Sequence, residues 1–447
     1  MQKLPVVSKY KVITVLLAFY FFIPQFVEAQ FLMDMVDTTK DMGKGVLSIY
    51  KRFDHIRIGG YIQPQYQVAS AEGAAGYSGG DFAKNSDNRF MLRRGRIRFD
   101  YVRFNIDDKP RLQFVFQFDG TERGVFIRDF WGRYWENKWQ LFYFTTGMFA
   151  RPFGYEVNLS SQDRESPERG RMSQILMRTE RDLGVMVSFG AQKNQNIFKH
   201  IKIDAGLFNG QGLTGPTDFD SYKDFIGQII LKPVKIADHI TVSGGVSVFA
   251  GGFRQFSTSV YRLQNKGGNV YRYEADSLST LPGDKLPRQY NGINTQLKWE
   301  HGWGNTEFRA EYWNGIQTAT QNTSETPGTP PVQTGLSYAP NYIRNFDGAF
   351  LVILQNIFSI KHQLGLKLDW YDPNTKVSGT QIGLSGSNLN AADIKYTTLG
   401  GGYLFYIDTN LKLTLWYDRV WNESTLLNGF QTDISDNVFT VRVQFRF

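Results

Sequence analysis

The sequence predicts an all-β protein, a transmembrane antiparallel β-barrel of about sixteen strands. Three observations carry that expectation. The segment Asn437 to Phe447 alternates strictly, with Phe439, Val441, Val443, Phe445 and Phe447 on one face and Thr440, Arg442, Gln444 and Arg446 on the other. A strand that is apolar on one face and cationic on the other suits a sheet between lipid and water, and ending on an aromatic is the pattern of a barrel closing its last seam. From His55 onward the period-two pattern persists, in segments about as long as the nine to eleven residues a tilted transmembrane strand requires. The connections between these segments alternate between short and long, so the two ends of the barrel face different compartments.

Taken in order, the chain opens with Lys3, Lys9 and Lys11, then an apolar run from Val12 to Ile23, then Pro24 and Val27-Glu28-Ala29. This reads as a secretory signal peptide over residues 1–29, cleaved before Gln30. The run is too short to cross a bilayer core of about 30 Å as a helix. Residues 30–54 carry Met35, Met42, Val46 and Ile49 at a weak helical spacing and read as a short periplasmic segment. The barrel domain is expected over 55–447. No later stretch approaches the hydrophobicity of the leader and mean hydropathy is −0.35, yet the chain holds 36 Phe, 23 Tyr and 9 Trp. A helical membrane protein is thereby excluded.

The chain has no cysteine, which excludes disulfides and thiolate sites for zinc or iron–sulfur clusters. Its formal net charge is +8. On an exported chain that surplus points to small anions and membrane headgroups as partners, not nucleic acid.

Short turns are expected at Asp107, Asn137, Val234, Trp303 and Asp408, facing the periplasm. Long loops, facing outward, are expected at Ala69 to Asp87, Arg151 to Asp182, Asn209 to Lys223, Ala250 to Arg288, Gln317 to Arg344, Asp372 to Asp393 and Glu423 to Asp436. A connection near Thr121 to Arg123 is short where a long one is due. Trp131, Trp135, Trp139, Trp299, Trp370 and Trp416 fall near strand ends, where interfacial girdles form.

The strongest local constellation is the second strand, Arg89 to Phe104. Gly95, Ile97, Phe99 and Tyr101 make its apolar face, which sets Arg94, Arg96 and Arg98 toward the interior. One face of a strand repeats every ~6.6 Å, so these arginines would form a column of charge offering successive weak sites for carboxylate or phosphate. Two readings stay open: an anion path, or arginines that merely balance loop carboxylates. Lys298 with Glu300, Arg309 with Glu311, and Lys367 with Asp369 read as inward pairs that stabilise the wall.

The stretch Asn88 to Gly95, NRFMLRRG, followed by Arg96, resembles the double-arginine strand of the phosphate-selective porin O and P family. Leu112 to Asp119, Ile127-Arg128-Asp129, Gly147 to Glu156 (GMFARPFGYE), Pro167-Glu168-Arg169, Arg181 to Val185 and Phe208-Asn209-Gly210 follow in the family's order, and the final strand agrees again. The likeness runs from about His55 to Gly210; beyond it only the strand and loop rhythm agrees, and the lysine cluster and full arginine ladder of the phosphate-selective members are not identifiable. The resemblance implies a trimeric outer-membrane porin of a Gram-negative bacterium whose third external loop, here Arg151 to Asp182, folds into the lumen. Arg164, Arg169, Arg171, Arg178 and Arg181 are then the constriction candidates, interspersed with Asp163, Glu165, Glu168, Glu180 and Asp182. It also implies that the terminal Phe447 is read by the outer-membrane assembly machinery.

Catalysis is not expected. The five histidines, His55, His200, His239, His301 and His362, fit no metal-ligand spacing, and no serine or threonine stands in a nucleophile motif. No cofactor is implied. Three function classes remain: passive diffusion with anion preference for phosphate or similar ions, a general diffusion porin for sugars or peptides, and a plugged binding or adhesion barrel.

Overall fold

A computed structural model describes residues 55–105, 109–191, 198–213, 218–276, 281–332 and 338–447. The expected signal peptide, the 30–54 segment and the centre of the turn at Asp107 lie outside the described residues.

The wall is built from β1 (Ile56–Ala69), β2 (Asn88–Phe104), β3 (Pro110–Thr121), β4 (Gly124–Trp135), β5 (Phe142–Ala150), β6 (Arg181–Gly190), β7 (Ile201–Phe208), β8 (Asp224–Ala237) and β9 (Ile240–Arg254). After a loop hairpin it continues through β12 (Lys285–His301), β13 (Gly304–Ala319), β14 (Asn341–Ile357), β15 (Ser359–Asp372), β16 (Tyr396–Tyr406), β17 (Leu411–Asn422) and β18 (Val438–Arg446). Each pairs antiparallel with its neighbours, and β18 pairs with β1, so sixteen strands close the barrel. At the seam Gly60 and Phe447 exchange backbone hydrogen bonds of 3.0 and 3.1 Å. Closure leaves no unpaired edge, the condition for a sheet to sit in lipid.

The hairpin, β10 (Val260–Asn265) with β11 (Tyr271–Ala275), belongs to the long connection after β9 and touches the wall through a short parallel bridge to β14. Short and long connections alternate as expected, including the tight β3–β4 link. All five histidines lie at the short-turn end.

The two faces of the wall differ sharply. Along β1, Ile56, Ile58 and Ile62 are exposed while Tyr61, Gln63, Gln65 and Gln67 are buried. β18 repeats this, with Phe439 and Phe445 exposed and Thr440, Arg442 and Gln444 buried. The tryptophan girdle is only partly formed. Trp299 and Trp139 are exposed, but Trp416 is buried with its indole donating to Asp418 at 2.7 Å, and Trp131 and Trp135 share an arginine, Arg133. These three stand on the interior face because strand parity, not proximity to a strand end, sets their direction.

Two departures from period two matter for the interior. Ile62 pairs with Gly95 and Pro64 with Leu92, so Arg93 and Arg94 together oppose Gln63. Phe118 pairs with Ile127 and Gln117 with Asp129, which leaves Arg128 as the extra residue. Each is a β-bulge, which turns two consecutive side chains toward one face.

The interior is not uniformly polar. Met186, Phe208, Ile226, Phe249, Tyr290, Trp313, Phe346 and Tyr371, one from each strand of β6 to β9 and β12 to β15, form a buried apolar arc. Phe153, Val157, Met172, Ile175, Leu176 and Met177 of the β5–β6 connection pack on that arc. The short helix α1 (Arg171–Leu176) supplies three of its buried residues, Met172, Ile175 and Leu176, to this core.

Candidate functional site

The site rests on how the β5–β6 connection is fastened. Gly154 takes φ +70°, a left-handed turn that seats the neighbouring Phe153 ring 4.8 Å from Trp313. A Cβ at Gly154 would come within 2.7 Å of the Trp313 ring. Directly after this turn the Glu311 carboxylate accepts the backbone N–H groups of Tyr155 and Glu156 at 2.7 and 2.8 Å and the Trp313 indole at 2.8 Å. Glu156 in turn pairs with Lys367 and accepts from Ser173 at 2.6 Å. Arg309 grips Glu165 through two hydrogen bonds of 2.8 and 3.1 Å. Lys412 donates to the carbonyls of Gln162 and Arg164 at 3.1 and 3.2 Å.

These contacts correct two of the expected wall pairs. Lys298 does meet Glu300 at 3.0 Å. Arg309 instead holds Glu165 and Glu307, and Lys367 holds Glu156. The physical reason is backbone desolvation. The wall carboxylates Glu311 and Asp369 accept backbone N–H groups of the arriving segment, and Arg309 and Lys367 meet that segment's carboxylates instead.

On the opposite side, β2, β4 and β18 meet the same segment through arginine. Glu168 binds three guanidiniums: Arg93 at 2.8 Å, Arg94 at 2.8 Å and Arg442 at 2.8 Å. Glu180 binds three more, Arg128, Arg169 at 3.2 Å and Arg181 at 2.8 Å. Arg96 pairs with Asp119 at 2.9 Å and donates to the Ser161 hydroxyl at 3.0 Å, while Arg181 also reaches Asp129 at 3.2 Å. Seven guanidiniums therefore share four carboxylates, Glu168, Glu180, Asp119 and Asp129. Burial alone would raise the Glu168 carboxyl, but Arg93, Arg94 and Arg442 reverse that and hold it well below the usual carboxylate range. Arg164 is pushed down to about 10 by burial and by Arg94. Its own hydrogen bonds go to the carbonyls of Ser166 and Pro167 at 3.3 and 3.1 Å.

Between these groups lies a cavity of about 790 Å³. Its wall side presents Arg93, Arg94, Arg96, Asp119 and Arg128, and the β5–β6 connection adds Glu168, Arg169 and Glu180. The other side is made by the β1–β2 and β17–β18 loops, with Tyr77, Asp81, Phe430, Ile434 and Asp436, and by Tyr396 at the start of β16. Arg171 bridges the sides, its guanidinium 3.6 Å from the Tyr396 ring, 4.7 Å from the Tyr77 ring and 3.8 Å from Asp436.

The expected column is thus divided. Arg94 and Arg96 are buried and line the cavity. Arg98 lies outside it, fixed to Asp100 of its own strand by bonds of 2.6 and 2.8 Å. Among the loop arginines, Arg169, Arg171 and Arg178 line the cavity, Arg178 at its exposed margin with Glu325 at 2.9 Å. Arg164 and Arg181 stand behind the lining, where they hold backbone and carboxylates in place. Sequence alternation misses Arg93 and Arg128 as interior residues because each sits at a bulge, which strict parity cannot register. The doubled arginine at 93–94, out of phase with its strand, is the signal that could have exposed the first.

A closed sheet with an apolar exterior and a charged, partly hollow interior defines a transmembrane barrel of the Gram-negative outer membrane. No family model matches the sequence, and no curated protein matches it. Solved structures do. OprB of Pseudomonas putida is similar at 10% identity and a TM-score of 0.55, over 92% of this chain and 98% of that one. The outer-membrane channel DcaP of Acinetobacter baumannii is similar at 13% identity and a TM-score of 0.53, over 88% of this chain and 97% of that one. At these identities the likeness is one of fold.

Proposed function

We propose that this chain is a passive diffusion porin with a preference for small anions. The observation that carries this reading is the guanidinium wall of the cavity: Arg93, Arg94, Arg96, Arg128 and Arg169 gather there around Asp119, Glu168 and Glu180, and over the whole lining seven arginines face six carboxylates. Arginine stays charged at any relevant pH and presents paired donors to carboxylate or phosphate. Three guanidiniums already share each of Glu168 and Glu180, so a passing anion meets partly compensated sites, attractive enough to enter and weak enough to leave. The residues 151–180 occupy the lumen and narrow the path in this reading. It is supported by their hydrogen bonds to β1, β2, β13, β15, β17 and β18. Arg94 and Arg96 are the solute-contacting residues, with Arg169 and Arg171 from the loop.

The resemblance of the double-arginine strand and the GMFARPFGYE stretch to the phosphate-selective porin O and P family supports the same class. Phosphate is one candidate solute among small anions. A homotrimer in the outer membrane, reached through a cleaved leader and the assembly machinery, completes the proposal. In detergent its particle should have the mass of three chains by light scattering; a monomer would overturn that part.

The test is a salt gradient across a planar bilayer holding the purified protein. A reversal potential of anion-selective sign is expected, and Arg94→Ala with Arg96→Ala should reduce it. Cation selectivity or an absence of channels would sink the proposal. One observation favours a general diffusion porin as the second reading. Arg94, Arg96 and Arg98 each have a carboxylate partner, at 2.8, 2.9 and 2.6 Å. Its mark would be near-zero reversal potential with sugars permeating freely.

A further inference from the structure

The cavity is chemically two-sided, and this bears on which anions use it. Its wall side is guanidinium, from Arg93, Arg94, Arg96 and Arg128. Its loop side carries rings and an aliphatic group, Tyr77, Tyr396, Phe430 and Ile434, beside the carboxylates Asp81 and Asp436. A path for a bare inorganic ion gains nothing from the second set, because such an ion has no apolar surface to bury. These side chains are also available. Tyr77, Phe430 and Ile434 are all half-buried and line the cavity.

The head-group chemistry is displayed by the protein itself. Glu168 shows a carboxylate held by three guanidiniums at 2.8 Å each. Arg93 keeps a quarter of its side chain exposed while making that contact, and so retains a face for a second carboxylate. Arg171, stacked between Tyr396 at 3.6 Å and Tyr77 at 4.7 Å, joins the cationic and aromatic sides. At about 790 Å³ the space is well above what one inorganic ion needs and falls in the range of small-molecule sites.

We propose that the preferred solutes are small organic carboxylates bearing an apolar or aromatic body, the carboxylate on the Arg93–Arg94–Arg96 side and the body against Tyr77, Phe430 and Ile434. This rests on the anion-preferring reading given above and specifies its substrate class. The site acts as a two-point filter. Charge admits the head group, and the rings lengthen the residence of anions that bring apolar surface with them.

The test uses the full-length protein in planar bilayers with chloride as the carrier ion. Acetate, benzoate and inorganic phosphate are titrated in turn, and the concentration that halves the chloride current is read for each. Benzoate should halve the current at a concentration about three- to tenfold below that for acetate, the factor an added aromatic contact supplies. Phosphate should show no such gain. In Phe430→Ser and, separately, Ile434→Ser the ratio of benzoate to acetate should fall toward one. The ratio is read within each variant, so a general loss of channels does not count for or against it. An anion-selective channel on which acetate and benzoate act equally would overturn this inference and leave the anion reading standing. A cation-selective pore would overturn both. A ratio unchanged in both variants would also overturn it, because the gain would then arise elsewhere in the channel.

Discussion

Glu168 is the residue on which the arginine side of the interior converges. Burial by itself would favour its neutral form, and only the three surrounding guanidiniums keep it ionised. Removing one partner of a buried ionic cluster leaves the others uncompensated, at a cost on the order of 3 kcal/mol. Glu168→Gln is therefore expected to loosen the 151–180 segment, seen as faster proteolytic cleavage within it, and to raise anion preference by removing a negative charge. The sign of the pH dependence follows from the depressed carboxyl. Its contribution is fully present above about 4.5, the ordinary value, and is lost only as pH falls through the lower folded value. The segment should therefore resist protease at pH 5 as well as at pH 7. Asp436 behaves oppositely. Burial pushes it up to about 6 although Arg171 pulls it down. Between pH 7.5 and pH 5 it gains a proton and the cavity loses a negative charge, so the reversal potential should move further in the anion-selective direction. Asp436→Asn should abolish that shift.

Among the elements, the two bulges and the left-handed turn at Gly154 do most to shape the interior. The bulges at Arg93–Arg94 and Arg128 bring Arg93 and Arg128 onto the interior face, where they complete the sets of three arginines around Glu168 and Glu180. Gly154 seats Phe153 in the apolar arc. Alanine there would adopt a left-handed conformation at roughly 1–2 kcal/mol and would crowd the Trp313 ring and the Glu311 carboxylate. Gly154→Ala should therefore detach this end of the connection and enlarge single-channel conductance, measured in bilayers under symmetrical salt. An unchanged conductance would mean that the segment does not limit the path.

For the whole molecule, the sorting of connections fixes an orientation that can be checked in cells. An epitope inserted in the β13–β14 loop near Thr329 should be reached by antibody on intact cells. One inserted at Thr409, in the β16–β17 turn, should be reached only after the outer membrane is permeabilised. The reverse pattern would invert the topology. The apolar arc from β6 to β15 makes the barrel asymmetric inside, with one side packed against the β5–β6 connection and the other carrying the arginines. In the proposed channel this asymmetry, not the bore of a sixteen-stranded ring, would set where a solute passes.

Strand number, loop sorting and the facing of β1 and β18 were all legible in the sequence, because a lipid-facing exterior forces apolar residues onto alternate positions and turn chemistry ends each run. Arg94 and Arg96 were legible for the same reason. Which charges meet depends on how the chain packs. Arg309 took Glu165 of the loop together with Glu307 in place of Glu311, Lys367 took Glu156 of the loop, Arg98 kept Asp100 of its own strand, and Arg93 and Arg128 entered the interior through bulges. Alternation is a local property of one strand. Charge pairing depends on what a distant segment brings against the wall, and that is set by closure of the whole barrel and by the partners that buried backbone requires.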